Sequence, residues 1–311
     1  MAPRVAVTVG DPRGIGAEVV GKALRGAAVR ADIVLVGPAP LIEGIPAAEH
    51  VEIHLPEADR IASASSRAPI LTLPEAEAGR VVRASVETAV GLALSGEVDA
   101  VVTGPADKRA LRAAGVNFPG HTEWLAALAG GVDVAMMLVA GGLRVVLVTT
   151  HLPLRAVPAA VTVERVLTSG RLARRALEEW WGIEDPRLAV CALNPHAGDG
   201  GLFGTEDDDV LRPAARELDA TGPLPADTVF VRALRGEFDA VLVPYHDVGM
   251  TAVKVAGFGS GVNVTLGLPF IRTAPDHGTA LDIAGKGMAD PGSMREAIRL
   301  AAELGLIRRT R

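Results

Sequence analysis

Three histidines of this chain share one kind of address. His151 closes the run Val145-Val146-Leu147-Val148-Thr149-Thr150. His196 comes two residues after Leu188-Ala189-Val190-Cys191-Ala192-Leu193, and His246 directly follows Ala240-Val241-Leu242-Val243-Pro244-Tyr245. Each run is short, apolar and rich in Val or Leu, the pattern of a buried strand. Ligands of open α/β sheets bind just beyond the carboxyl ends of strands. Three imidazoles placed there can converge on one metal ion and leave a coordination position open for substrate. Nitrogen ligands suit zinc, and also cobalt or another divalent ion. Any one histidine alone reads more simply as a polar side chain hydrogen-bonded to backbone. The chain has 7 histidines, so three at equivalent addresses are poorly explained by scatter. Their wide separation in sequence argues for a site assembled by the fold.

Other groups point to anions and nucleotides. Gly120-His121-Thr122-Glu123 opens a helix, with Thr122 as candidate cap and free N–H groups for an anion. A plain helix start explains it as well. Lys254, Asn263 and Arg272 fall in one C-terminal stretch. An ammonium, an amide and a guanidinium on successive elements suit a phosphate and a carboxylate; solvated surface charge is the simpler alternative. The run Asp276-His277-Gly278-Thr279-Ala280-Leu281-Asp282-Ile283-Ala284-Gly285 is too glycine-rich for a core element. It suits either a loop wrapped round a nucleotide or an ordinary surface loop. Gly10-Asp11-Pro12-Arg13-Gly14-Ile15-Gly16 is neither a dinucleotide fingerprint nor a phosphate loop, and a tight turn explains its glycines.

The elements that must position these residues alternate along the chain. Strands are expected at 4–9, 32–36, 70–73, 98–103, 239–245 and 262–266, besides the runs before His151 and His196. Gly141-Gly142 between residues 134–140 and 143–150 predicts a hairpin. Helices are expected from about Gly16, over 79–96, near 108–114, over 162–181 and over 292–304. Thr205 is a candidate N-cap, with Glu206 to Asp209 suiting the positive end of a helix and Pro213 opening a second one. This alternation predicts an α/β fold with mainly parallel sheets.

Composition narrows the partners. A length of 311 residues allows two domains, and a hydrophobic content of 49% allows large cores. Net charge is −6 without a basic run, and aromatics make up 3%, which argues against nucleic acid and anionic membrane as partners. The single Cys191 cannot form an internal disulfide. With no secretory leader and no long apolar stretch, a soluble cytoplasmic protein is expected.

Together these motifs resemble the 4-hydroxythreonine-4-phosphate dehydrogenase family of pyridoxine biosynthesis, within the isocitrate and isopropylmalate dehydrogenase-like superfamily. The matching segments are residues 10–16, 120–123, 149–154, 194–201, 222–228, 245–249, 257–273 and 276–285. The resemblance implies two α/β/α domains flanking a cleft, here expected as 1–135 with 265–311 and 136–264. It implies His151, His196 and His246 as metal ligands, and His121, Thr122, Lys254, Asn263 and Arg272 as substrate-binding residues. It implies NAD or NADP along His277, Gly278, Thr279, Ala280 and Asp282, with zinc, cobalt or magnesium as the ion. It also implies a homodimer with shared active sites. The activity implied is oxidation of 4-phosphooxy-L-threonine at C3, then decarboxylation to 3-amino-2-oxopropyl phosphate. Asp247 and Lys108 are candidates for the general base by position. Arg13 stands where the family usually has a small residue, and Asp107 where an amide or imidazole is commoner. A sister activity on 4-phospho-D-threonate or 4-phospho-D-erythronate stays open. So does a metal-dependent lyase or hydrolase without nicotinamide, which the loop from His277 argues against.

Overall fold

The computed structural model describes residues 2–26, 29–55 and 72–310. In chain order its strands are β1 (Arg4–Thr8), β2 (Asp32–Gly37), β3 (Glu49–Glu52), β4 (Ala100–Val102), β5 (Ala135–Ala140), β6 (Leu143–Leu147), β7 (Leu188–Cys191), β8 (Thr221–Leu224), β9 (Ala240–Val243), β10 (Val262–Leu266) and β11 (Ile271–Pro275). The helices that matter here are α1 (Gly16–Gly26), α2 (Glu75–Leu94), α3 (Lys108–Ala113), α4 (His121–Leu128), α5 (Val163–Glu179), α6 (Arg212–Glu217), α7 (Ala226–Leu234), α8 (His246–Ala256) and α9 (Gly292–Thr310). The chain divides into two units, Met1–Val132 with Leu268–Arg311, and Asp133–Gly267.

In the first unit β1 lies between β2 and β4, with β3 beyond β2 and β11 beyond β4, all parallel. Val5, Ala6 and Val7 of β1 are fully buried, as are the β4 residues, because helices cover the sheet. α2 packs on β1, β2 and β4, while α9 packs on β1, β4 and β11. The chain runs from β1 to β2 and β3 on one side, then crosses to β4 on the other. The crevice beyond the carboxyl ends of β1 and β4 is therefore a topological switch point. The Asp11 N–H donates to Pro105 O at 2.9 Å, and the Gly104 N–H donates to Thr8 Oγ1 at 3.1 Å. These bonds tie the two loops that follow the strands.

The second unit mixes both strand directions. β5 is antiparallel to β10 and to β6, whereas β6, β9, β7 and β8 are parallel in that order. The β5–β6 hairpin turns on Gly141 and Gly142, whose φ values of 56° and 88° suit a type I′ turn. Thr162 caps α5 by accepting the Arg165 N–H at 3.3 Å, and α5 packs on β5, β6, β9 and β10. Buried Leu138, Val145, Leu147, Val241, Val243 and Val253 belong to the core on one face of this sheet.

Several local expectations shift. Residues 70 and 71 of the strand expected at 70–73 lie outside the described residues, and Thr72 and Leu73 are not in a strand. The Thr205 side chain makes no cap bond. Its carbonyl instead accepts the N–H groups of Asp208 at 3.0 Å and Asp209 at 2.8 Å, opening a wide helical turn over Asp207–Leu211. Pro213 is the second residue of α6, which continues directly from that wide turn. β3, β8 and β11 lack an apolar alternation: β3 reads EHVE, β8 reads TGPL and β11 carries Arg272. Among the described residues no helix is long and apolar enough to cross a membrane.

Candidate active site

β6 and β9 are parallel neighbours in register, with Val145 opposite Val241 and Leu147 opposite Val243. Their carboxyl ends therefore emerge side by side. The Val148 N–H extends the ladder to Val243 O at 2.9 Å. One residue on, the buried Thr149 hydroxyl donates to Pro244 O at 2.6 Å. His151 and His246 follow directly, with ring centroids 5.4 Å apart. Two imidazoles on one tetrahedral zinc, at bond lengths near 2 Å, would have centroids about 5 Å apart. The pair thus fits a shared ion by spacing and donor type. His246 Nδ1 lies 2.7 Å from Asp247 Oδ1. A proton on Nδ1 donates to this carboxylate and leaves the Nε2 lone pair for a metal. α8 begins at His246 and lies close on the sheet, since a Cβ on Gly249 would come within 2.9 Å of the Leu147, Val145 and Val243 side chains.

β7 lies on the other side of β9, so His196 is carried at the same edge of the sheet. Its exposed ring sits against Phe203, with centroids 6.5 Å apart. Among the described residues no three of His, Cys, Asp and Glu are grouped to hold a metal ion. One chain brings His151 and His246 together and leaves His196 out of the group.

The first unit gathers a second set. Gly120, extended, caps α4 with its backbone alone, so Thr122 is the buried second helical residue and not the cap. His121 is half-buried, and its Nε2 is shielded from solvent with no hydrogen-bond partner. Burial, then the positive charges of Arg272 and Lys108, hold its pKa down to about 3. Neutral His121 therefore faces two cations. Arg272 lies in the interior of β11 at 3% exposure, opposite Val101 of β4, and donates through Nη2 to Thr103 Oγ1. Burial lowers its pKa to about 10, which still leaves it cationic at neutral pH. Lys108 opens α3 beside Asp107, whose carboxylate caps the helix by accepting the N–H groups of Arg109 at 2.6 Å and Ala110 at 3.4 Å. Fixed positive charge around a shielded, unmatched imidazole suits an anion, and phosphate above all. Thr103 was not singled out in the sequence because nothing local links it to Arg272, 169 positions away.

The remaining candidate residues divide by unit. In the second unit Lys254 is half-buried on α8. Asn263 lies on β10 opposite Leu138, with its Oδ1 shielded and unpartnered. That acceptor fits an N–H or O–H group of a ligand. In the first unit residues 276–285 contain no helix or strand. The Ile15 N–H holds Thr279 O at 3.0 Å, Ala280 has a φ of 43°, and His277 Nε2 is shielded without a partner. A Cβ on Gly278 would meet nothing within 4 Å. This open, backbone-rich surface fits a nucleotide.

A family model described as pyridoxal phosphate biosynthetic protein PdxA matches residues 29–301. The chain belongs to this family. The matched span contains every candidate residue from Lys108 to Asp282. The curated 4-hydroxythreonine-4-phosphate dehydrogenase of Chromobacterium violaceum is 45% identical, with 97% of each chain covered. That of Caulobacter vibrioides is 42% identical over 96% of this chain and 97% of its own. A crystal structure of 4-hydroxythreonine-4-phosphate dehydrogenase from Klebsiella pneumoniae has a TM-score of 0.84 and 37% identity, covering 98% of this chain and all of that one. PdxA family membership thus spans both units and both sets of side chains.

Proposed function

We propose that the chain oxidises 4-phosphooxy-L-threonine at C3 and releases carbon dioxide, yielding 3-amino-2-oxopropyl phosphate for pyridoxal phosphate biosynthesis. The observation that carries this reading is the shielded, neutral His121 within the electrostatic reach of Arg272 and Lys108, which suits a small phosphorylated acid. Similarity to dehydrogenases of that name across the full length supports it.

The roles follow from each side chain's chemistry. Arg272, buried and held by Thr103, presents a fixed guanidinium to phosphate oxygens. Neutral His121 donates one N–H to the same group, and Thr122 lines it. Lys254 takes the carboxylate, and Asn263 Oδ1 accepts from the substrate's amino group. His151 and His246 hold a divalent ion, zinc or else cobalt or magnesium, and Asp247 fixes the His246 tautomer. The contact with His246 gives Asp247 an orienting task, and Lys108 serves as a cation for the phosphate, so neither is assigned as the base. When bound, the ion supplies Lewis acidity and NAD or NADP accepts the hydride. His277, Gly278, Thr279, Ala280 and Asp282 hold the nucleotide. We assign His196 to the site of a partner subunit in a homodimer, because a single chain pairs only the other two histidines.

The test incubates purified protein with NAD and a panel of 4-phosphorylated four-carbon acids, including 4-phospho-D-threonate and 4-phospho-D-erythronate. Reduced cofactor and carbon dioxide are followed together. Equimolar formation of both from 4-phosphooxy-L-threonine is expected. Turnover of a sister substrate alone, or of unphosphorylated hydroxythreonine as efficiently, would reject the assignment.

A further inference from the structure

The loop that carries His196 has an unusual backbone. Six consecutive residues have positive φ: His196 (54°), Ala197 (58°), Gly198 (82°), Asp199 (44°), Gly200 (67°) and Gly201 (93°). Three of them are not glycine, and L-residues avoid this region. Such a run persists only where its surroundings over-determine it.

What holds the entrance to the run is a carboxylate from another element. Asp207 is fully buried, at 0% exposure, in the wide turn before α6. Its Oδ1 accepts the Leu193 N–H at 2.8 Å and its Oδ2 accepts the Asn194 N–H at 3.0 Å. Two consecutive peptide groups are thus gripped by the two oxygens of one side chain, immediately before Pro195 and His196. Its neighbour Glu206 accepts the Asn194 Nδ2 at 2.9 Å, adding a second hold on Asn194 and a third on the loop entrance. Among the described residues no cation pairs with Asp207, and each of its two oxygens accepts one of these N–H groups. A buried carboxylate whose bonds all converge on one loop entrance is costly unless that loop needs a fixed geometry. Among the described residues the exposed imidazole beyond it makes no hydrogen bond of its own, so its direction depends on the backbone that carries it.

We propose that Asp207 is a positioning residue for His196: its bidentate grip on the Leu193 and Asn194 peptides sets the direction in which the left-handed loop presents the imidazole to a metal. The inference rests on the reading of His196 as a metal ligand. Asp207 itself touches neither ion nor substrate.

The experiment measures zinc affinity of the full-length protein by competition with a chromophoric chelator, and the thermal midpoint of the metal-free protein. The variants are Asp207→Asn, Asp207→Ala, His196→Ala and Leu211→Ala. Leu211 is fully buried four residues further along the same turn and serves as the stability control. Asp207→Ala should weaken zinc about 10- to 100-fold, the range for an outer-shell partner. Asp207→Asn should fall between it and the wild type, because an amide oxygen keeps one peptide N–H and its nitrogen cannot accept the other. Leu211→Ala should lower the thermal midpoint and leave zinc affinity unchanged. Wild-type zinc affinity in both Asp207 variants, with binding lost in His196→Ala, would overturn the positioning role alone. Equal zinc loss in Leu211→Ala at equal thermal loss would overturn it too, by reducing the effect to stability. Normal zinc binding by His196→Ala would overturn the ligand assignment on which it rests.

Discussion

The Thr149 hydroxyl donates to the Pro244 carbonyl across 2.6 Å, two residues before each of the paired histidines. The bond closes the β6 and β9 ends as the ladder gives out, so His151 and His246 leave the sheet together. Thr149→Val keeps the shape and strands a buried carbonyl. It should destabilise the fold by about 1–3 kcal/mol. It should also weaken zinc, read by chelator competition. Denaturant curves and zinc affinity both matching the wild type would reject the role.

His121 is the group whose titration the structure predicts. Its folded pKa of about 3 lies below its ordinary value of 6.5. It therefore binds fewer protons folded than unfolded between those limits. The associated stability is complete above pH 6.5 and drains away as pH falls toward 3, with a slope of at most about 1.4 kcal/mol per pH unit. His121→Gln removes this dependence. Urea unfolding at pH 7, 5 and 4 should show the wild type losing more stability than the variant. Coincident losses would mean that the imidazole is not held neutral.

Gly278 offers a clean probe of the nucleotide surface. A Cβ there would meet open space. Gly278→Val should therefore leave the fold intact while obstructing a ligand. The KM for NAD should rise about tenfold or more, the equivalent of one lost hydrogen-bond-sized interaction, with the KM for the phosphorylated acid little changed. The opposite split would move the nucleotide elsewhere.

The pairing of His151 with His246 in one chain makes the dimer reading testable by subunit mixing. In a two-fold dimer where His196 crosses over, mixing His196→Ala with His246→Ala gives each mixed dimer one site with both lesions and one intact site. Activity should return. Mixing His151→Ala with His246→Ala leaves a lesion in every site and should restore none. Recovery in the second mixture, or none in the first despite demonstrated exchange, would reject the arrangement.

Much of the fold was legible because its cause is local. The buried strands β1, β2, β4, β6, β7, β9 and β10 are built mainly on Val, Leu, Ile and Ala, and the β5–β6 hairpin is written in Gly141-Gly142. β11 escaped notice because Arg272 and Pro275 break its apolar pattern. Its burial against β4 comes from pairing with residues far away in the chain. By sequence Asp207 reads as a helix-start acid, and its real partners, the Leu193 and Asn194 peptides, lie 14 and 13 positions back.

The sequence by itself determined that the chain alternates strand and helix and that three histidines stand at strand ends. Parallel strands share one carboxyl edge, so that much follows without knowing their order. Only the tertiary structure decided which histidines meet. Strand order places β9 between β6 and β7, and the Thr149–Pro244 bond draws the β6 and β9 ends together. The physical reason is range: a repeat of two or of 3.6 residues reports which face a side chain takes, whereas neighbours in a sheet are chosen by burial and hydrogen bonding summed over the whole chain.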